Sequence, residues 1–262
     1  MSAAPLLQVQ SLRKAFGGVQ AVDGVSFELA AGELLALIGP NGAGKSTCFN
    51  CINGQLRADG GRVLLAGQDL AGLGPRQIWR RGVGRTFQIA ATWTSMTVLE
   101  NLQLALLSHE GALHRWWGRA AERHREPAFE LLRAVGLEAM AQAPCGALAY
   151  GDIKRVELAI ALANSPRLLL MDEPTAGMAP RERHALVALV RQLVRERGIG
   201  VLFTEHSMDV VFAHADRLIV LARGQLIAQG PPQAIRDDAR VREVYLGSSL
   251  AESGVAAPRV TS

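Results

Sequence analysis

ELLALIGPNGAGKST, residues 33–47, decides how the rest of the chain is read. Leu34 to Ile38 is a short apolar run, which suits a strand buried on both faces of a parallel sheet. It leads into Gly39-Pro40-Asn41-Gly42-Ala43-Gly44-Lys45-Ser46, which fits G-x-x-x-x-G-K-[ST], and Thr47 follows. A polyphosphate is best held by several backbone N–H groups converging on it. Gly39, Gly42 and Gly44 let the backbone bend and approach without a Cβ in the way. A helix starting near Lys45 adds its positive N-terminal end. Lys45 can reach the β- and γ-phosphates, and Ser46 can ligate Mg²⁺. At average composition the four fixed positions arise by accident on the order of once in a hundred chains of this length. The buried strand before them and the helix pattern after them therefore matter as much as the spelling.

The 262 residues leave room for one large domain or two modest ones, and 49% are apolar, enough for a sizeable core. A net charge of +4 is compatible with a nucleotide, an acidic membrane surface or nucleic acid. No apolar run approaches the roughly 18 residues needed to cross a bilayer. Residues 1–7 lack a basic region followed by an apolar core, so no signal peptide is expected, and any membrane role must come through a partner. Three cysteines, Cys48, Cys51 and Cys145, argue against a disulfide scaffold. Cys48 and Cys51 form C-x-x-C after the phosphate loop, but no further ligands have zinc spacing, and buried structural thiols are the preferred reading.

Strands are expected over Leu7–Phe16, Val22–Leu29 and Arg62–Ala66, as an antiparallel group flanking the parallel sheet. Phe16 lies just upstream of the phosphate loop. It is either an aromatic face for adenine or a core residue, and burial statistics for phenylalanine favour the core. Arg76 to Arg85 is arginine-rich and reads as a solvated helix face leading to Gln88. Thr97-Val98-Leu99-Glu100 has capping-box spacing, so a helix starts there. His114 to Glu126 is rich in Arg and His around Trp116-Trp117. A basic face touching headgroups or nucleic acid competes there with a solvated face over buried tryptophans, and the second is preferred. Helix continues from Glu130 to Val135. Another is expected just after Gly151, with Asp152 as N-cap or first-turn residue and Ile153, Val156, Ile160 and Ala163 on one face. A glycine turn at that helix end is a second potential anion site.

Arg167 to Asp172 reads as a buried strand. Acidic residues at the C-terminal end of a parallel strand sit where α/β sheets bind ligands. Asp172 suits the Mg²⁺ shell and Glu173 suits orienting a water, the carboxylate half of a nucleoside-triphosphate-hydrolysing site. Pro180 fits the first position of a helix through Arg197. Ile199 to Phe203 is the next strand, and Thr204-Glu205-His206 follows it. His206, at the same sheet edge as Glu173, is a candidate γ-phosphate sensor. A hairpin turns at Arg223-Gly224. Short helices follow Pro231-Pro232 and run from about Ala239 to Leu246. Residues 248–262 read as a mobile tail.

In this order the pieces resemble the ATP-binding subunit of an ABC transporter over nearly the whole chain. Gly39 to Thr47 looks like Walker A, Gln88 like the Q-loop glutamine and Leu148 to Asp152 like the signature. Leu168 to Glu173 looks like Walker B with its catalytic glutamate, and His206 like the switch histidine. Phe16 takes the place of the adenine-stacking aromatic. Phe16-Gly17-Gly18, the run TAGMAP at 175–180, the basic insert around Trp116-Trp117 and VREVYLG at 241–247 resemble the ATPases of branched-chain amino-acid importers. Related importers of urea and short amides share much of this. Two positions depart from the pattern. Ala149 stands where the signature serine is usual, which removes one hydroxyl contact to the γ-phosphate. Ala179 stands where the loop after Walker B usually carries an aspartate.

The resemblance implies a P-loop NTPase core: a mainly parallel sheet, an antiparallel β subdomain, and a helical subdomain at about 93–165 within a single domain of residues 1–247. It implies an ATPase with ATP and Mg²⁺ as cofactors. Lys45, Gln88, Glu173 and His206 would serve catalysis, and Ser46, Gln88 and Asp172 the metal. Phe16, the loop from Gly39 to Thr47, Tyr150 and Gly151 would serve the nucleotide. Two cassettes, identical or paralogous, would sandwich two ATPs, each between one subunit's Lys45 loop and the other's Gly151 turn. Two transmembrane permease subunits would hold the pair at the cytoplasmic face of the plasma membrane, with an external binding protein as an indirect partner. No nucleic acid is expected. A nucleic-acid-linked ABC ATPase would usually carry fused cassettes or long coiled-coil or zinc insertions, and a small-molecule kinase would leave Gly151 and His206 without a role.

Overall fold

The computed structural model describes residues 4–86, 92–110 and 124–244. The expectations about Gln88, Trp116-Trp117 and the tail from residue 248 lie outside them. The chain opens with an antiparallel hairpin of β1 (Leu7–Phe16) and β2 (Val19–Leu29). The second strand starts three residues before the expected Val22, because Phe16 already pairs with Val19 across the turn. Next come β3 (Leu34–Ile38), the phosphate loop and α1 (Lys45–Ile52). Strands β4 (Gly60–Leu65) and β5 (Gln68–Asp69) complete an antiparallel sheet of order β2-β1-β4-β5.

The chain continues through α2 (Pro75–Arg80), β6 (Val83–Thr86), α3 (Val98–His109) and α4 (Arg125–Val135) to α5 (Tyr150–Leu162). After β7 (Leu168–Asp172) it alternates: α6 (Pro180–Arg197), β8 (Gly200–Thr204), α7 (Met208–His214) and β9 (Arg217–Ala222). Strand β10 (Gln225–Gly230) and α8 (Pro232–Asp237) follow. The second sheet has the order β10-β9-β3-β8-β7-β6. All its neighbours pair in parallel except β10, which turns back antiparallel on β9.

The apolar spelling of β3 has a direct cause. Leu35 and Leu37 join the core beneath the antiparallel sheet, while Leu34, Ala36 and Ile38 join the core on the other face. A strand with a core on each side tolerates no polar position. Two local signals work as written. Thr97 Oγ1 accepts from the Glu100 N–H at 3.2 Å, and the Glu100 carboxylate accepts from the Thr97 N–H at 2.7 Å, a closed capping box. Arg223 (φ 49) and Gly224 (φ 80) make the two-residue turn between β9 and β10. The Gly224 N–H donates to Ala43 O at 3.0 Å, and Gly224 O accepts from the Asp23 N–H at 2.8 Å. This turn therefore ties β2 to the phosphate loop.

Three expectations need correcting. Arg76 to Arg85 is not one solvated helix: α2 ends at Arg80, and Val83–Thr86 is the edge strand of the parallel sheet, with Val83 and Thr86 buried. Four residues are too few for a strand period to show against the arginines around them. The helix near Gly151 starts at Tyr150, with Ala149 as its N-cap and Asp152 in its first turn. Its buried side also differs. Val156 and Ala163 are buried, Ile153 and Ile160 only partly, and Lys154 and Glu157 are buried as an ion pair of 3.1 Å. Paired charges thus occupy positions that a purely apolar count assigns to the surface.

Candidate functional site

The phosphate loop is shaped by close backbone approach. At Gly39 (φ 153) an added Cβ would lie 2.2 Å from Leu221 O, and at Gly44 (φ 100) 2.2 Å from Ala21 O. Only glycine fits both positions. The Lys45 ammonium spans the loop, donating to Gly39 O at 2.7 Å and Pro40 O at 3.1 Å. Burial holds this lysine below its ordinary value, and the carboxylates of Glu173 and then Asp172 act in the opposite direction. Strand register brings these groups to one edge: Leu37, just before the phosphate loop, pairs with Thr204, and Thr204 pairs with Asp172. Ala43 is buried, Asn41, Gly42 and Ser46 are exposed at the loop, and Pro40 and Thr47 are half-buried.

Asp172 and Thr204 are register partners at the C-terminal ends of β7 and β8. Thr204 Oγ1 donates to Asp172 Oδ1 at 2.7 Å, and Arg85 Nη2 lies 3.8 Å from Asp172 Oδ2. Glu173 then leaves the strand at φ 49. Its N–H donates to Thr204 Oγ1 at 3.0 Å, and its Oε1 lies 2.8 Å from His206 Nε2. Below them, the buried Glu205 carboxylate accepts from the Thr175 N–H at 3.0 Å and from Thr175 Oγ1. It also accepts from the backbone of His206 at 3.1 Å. One carboxylate thus ties the loop after β7 to the loop after β8.

Phe16 is 49% exposed at the end of β1, so it is not a core residue. Lys14 Nζ lies 5.5 Å from its ring centroid. At the other candidate anion turn, Ala149 caps α5 with no side-chain bond. The first N–H groups of that helix therefore lack a hydroxyl acceptor from their own cap. The Tyr150 hydroxyl donates to Ala176 O at 3.1 Å, and an added Cβ at Gly151 would lie 3.3 Å from Glu182 Oε1. The Gly151 turn thus sits beside α6 of its own chain, while the neighbours of the phosphate loop are Ala21, Leu221 and Gly224. Cys48, Cys51 and Cys145 are buried and not disulfide-bonded, and burial lifts the Cys51 thiol to about 11.

The structure thus gathers Lys45, Asp172, Glu173 and His206 at one sheet edge and leaves Tyr150 and Gly151 elsewhere. Sequence reading missed Arg85, Thr175, Thr204 and Glu205. Thr204 and Glu205 directly precede His206, a signal available in the sequence. Arg85 carried none, because its strand was not legible.

A family model described as ABC transporter matches residues 22–176, and one described as branched-chain amino acid ATP-binding cassette transporter matches residues 225–251. The high-affinity branched-chain amino acid transport ATP-binding protein BraF of Pseudomonas aeruginosa is 38% identical over 252 residues, covering 94% of this chain and 99% of that protein. The ADP conformation of MJ1267, an ATP-binding cassette of an ABC transporter, superposes with a TM-score of 0.84 at 34% identity, over 94% of this chain and 100% of that one. A dimeric post-hydrolysis state of the cassette MJ0796, bound to ADP and Pi, superposes with a TM-score of 0.72 at 26% identity, over 86% and 98% of the two chains.

Proposed function

This chain belongs to the ABC transporter family of ATP-binding proteins, and from that premise we propose that it binds and hydrolyses ATP to power uptake of branched-chain or other small amino acids through separate membrane subunits. The observation that carries hydrolysis is the Glu173–His206 pair at 2.8 Å, directly after Asp172 and at the strand ends that border the Lys45 loop. The C-terminal match at residues 225–251 supports the cargo class.

Lys45 and the N–H groups from Gly39 to Thr47 bind the phosphates, and Phe16 stacks on the adenine. Glu173 accepts a hydrogen bond from the attacking water and takes up its proton as attack proceeds. His206 orients that carboxylate and senses the γ-phosphate. A hydroxyl on Ser46 and the Asp172 carboxylate form a hard oxygen donor set that suits Mg²⁺, with Gln88 as the third contributor. When bound, the ion neutralises charge on the β- and γ-phosphate oxygens.

The Tyr150-Gly151 turn completes the site of a second cassette, identical or paralogous. The cassette MJ0796, solved as a dimer bound to ADP and Pi, supports pairing of two such chains. The unequal affinity of ATP and ADP for the closed pair is the source of work. Permease subunits dock near Gln88 and the helical subdomain, about residues 93–165 of a single domain spanning 1–247. They hold the chain at the cytoplasmic face of the membrane; among the described residues no helix is long and apolar enough to cross it. The test is Glu173→Gln. It retains ATP binding, loses turnover by roughly 10²–10⁴-fold and accumulates an ATP-dependent dimer in size-exclusion chromatography. Hydrolysis at the parent rate would overturn the assignment.

A further inference from the structure

Arg85 borders two regions that the proposed mechanism treats separately. It sits on β6 with its side chain 15% exposed, in register with Leu170 of β7. Nη1 donates to Asn50 Oδ1 at 3.1 Å, on α1, and to Gln55 Oε1 at 2.9 Å, just beyond it. Nη2 faces Asp172 Oδ2 at 3.8 Å, while the other oxygen of that carboxylate is taken by Thr204. Arg85 also lines a groove of about 490 Å³ whose wall includes Gln55, Ile78, Trp79, Ala105 and Ile160. The groove and the carboxylate are thus one side chain apart.

We propose that Arg85 is a positioning residue that draws the Asp172 carboxylate toward the groove side, in competition with a bound cation, and links the state of that carboxylate to the groove wall. The proposal rests on the reading of Asp172 as the carboxylate that holds Mg²⁺. A guanidinium presents its donors in a rigid planar fork. Asn50 and Gln55 fix one end of that fork, so the end facing Asp172 cannot shift without straining bonds at the groove wall. Its charge also opposes that of an incoming divalent cation, and this repulsion acts through a largely buried path that water screens poorly.

The experiment uses the full chain with Mg²⁺ alone as the titrated probe and binding of a fluorescent ATP analogue as the readout. Arg85→Met removes the opposing charge, so the Mg²⁺ concentration giving half-maximal binding falls by roughly three- to tenfold. Arg85→Lys keeps a charge but not the fork, and its half-maximal concentration stays within about twofold of the parent. Tryptophan emission supplies a second readout, with the contribution of Trp79 taken as the difference from Trp79→Phe. In the parent, nucleotide with Mg²⁺ changes that contribution; in both Arg85 variants the change is lost. Circular dichroism checks that the variants fold, and the lysine variant tests the linkage if the methionine variant does not. An unchanged or raised Mg²⁺ requirement in Arg85→Met, or a Trp79 response that survives in Arg85→Lys, overturns the proposal. Asp172→Asn separates the two levels. If it leaves the Mg²⁺ dependence unchanged, the reading of Asp172 itself falls and the proposal with it. If it alters that dependence and the Arg85 variants behave as the parent, only the proposal falls.

Discussion

Glu173 holds a left-handed backbone conformation that costs a residue with a Cβ on the order of 1–3 kcal/mol. What maintains it is specific: its N–H is bonded to Thr204 and its carboxylate to His206. The bend takes the chain off the line of β7 at the residue that meets His206. Lys45 is held as specifically, by two carbonyls of its own loop. Replacing Lys45 by Ala removes a charge-assisted contact of about 1.5–3 kcal/mol. ATP affinity is then expected to fall about 10- to 100-fold in a calorimetric titration, and unchanged affinity would count against the phosphate-loop assignment. Lys45, Asp172, Glu173 and His206 were legible because each lies in or directly after a motif at a strand end. Arg85 was not, since its partners Asn50 and Asp172 come from other elements and no local spacing encodes the meeting. The position of Gly151, away from the phosphate loop of its own chain, is a matter of three-dimensional placement that spacing does not carry.

Between elements, the contact of α6 with α7 holds a polar relay. His184 Nδ1 lies 3.1 Å from His214 Nε2, and His184 Nε2 lies 3.1 Å from Asp209 Oδ2. Arg191 of α6 donates to Ala213 O and faces the same end of α7. Burial, then the neighbouring His184 and Arg191, hold the His214 imidazole below its ordinary value of 6.5. The folded chain therefore favours the neutral ring. Stability from this group is full above about pH 6.5 and is lost as pH falls toward the lower folded value, where the unfolded chain binds the extra proton. The melting temperature is expected to drop from pH 7.5 to pH 5, and His214→Gln is expected to flatten that drop in a thermal-shift series. An identical slope in the variant would exclude His214 as a source. At this scale the sequence reading did well where a signal was local. The capping box at Thr97, Pro180 opening α6 and the turn at Arg223-Gly224 are where spacing put them. It failed at β6, where a strand too short to show its period is flanked by arginines, and at α5, whose buried Lys154–Glu157 pair hides its inner face.

For the molecule as a whole, the proposed reading leaves each chain with one complete phosphate loop and one anion turn facing elsewhere. Ala149 gives that turn no side-chain cap, so under this proposal its backbone N–H groups would carry the contact to the partner's nucleotide. Turnover per molecule is accordingly expected to rise with protein concentration at saturating ATP and to level off once pairing is complete. A constant turnover per molecule across a wide dilution series would instead place the full reaction within one chain. The main architecture was readable because the core of β3 is two-sided and therefore spelled without interruption. The order in which β9, β3 and β8 lie side by side was not, since that depends on which chain segments cross over the sheet.

The bend between β9 and β10 has a practical consequence for anyone modifying this protein. A two-residue turn at the edge of a molecule usually welcomes an affinity peptide, a dye-labelling cysteine or a new chain terminus. Here the Gly224 amide and carbonyl are both committed, one to Ala43 and the other to Asp23. A graft at this point would pull β2 and the phosphate loop apart.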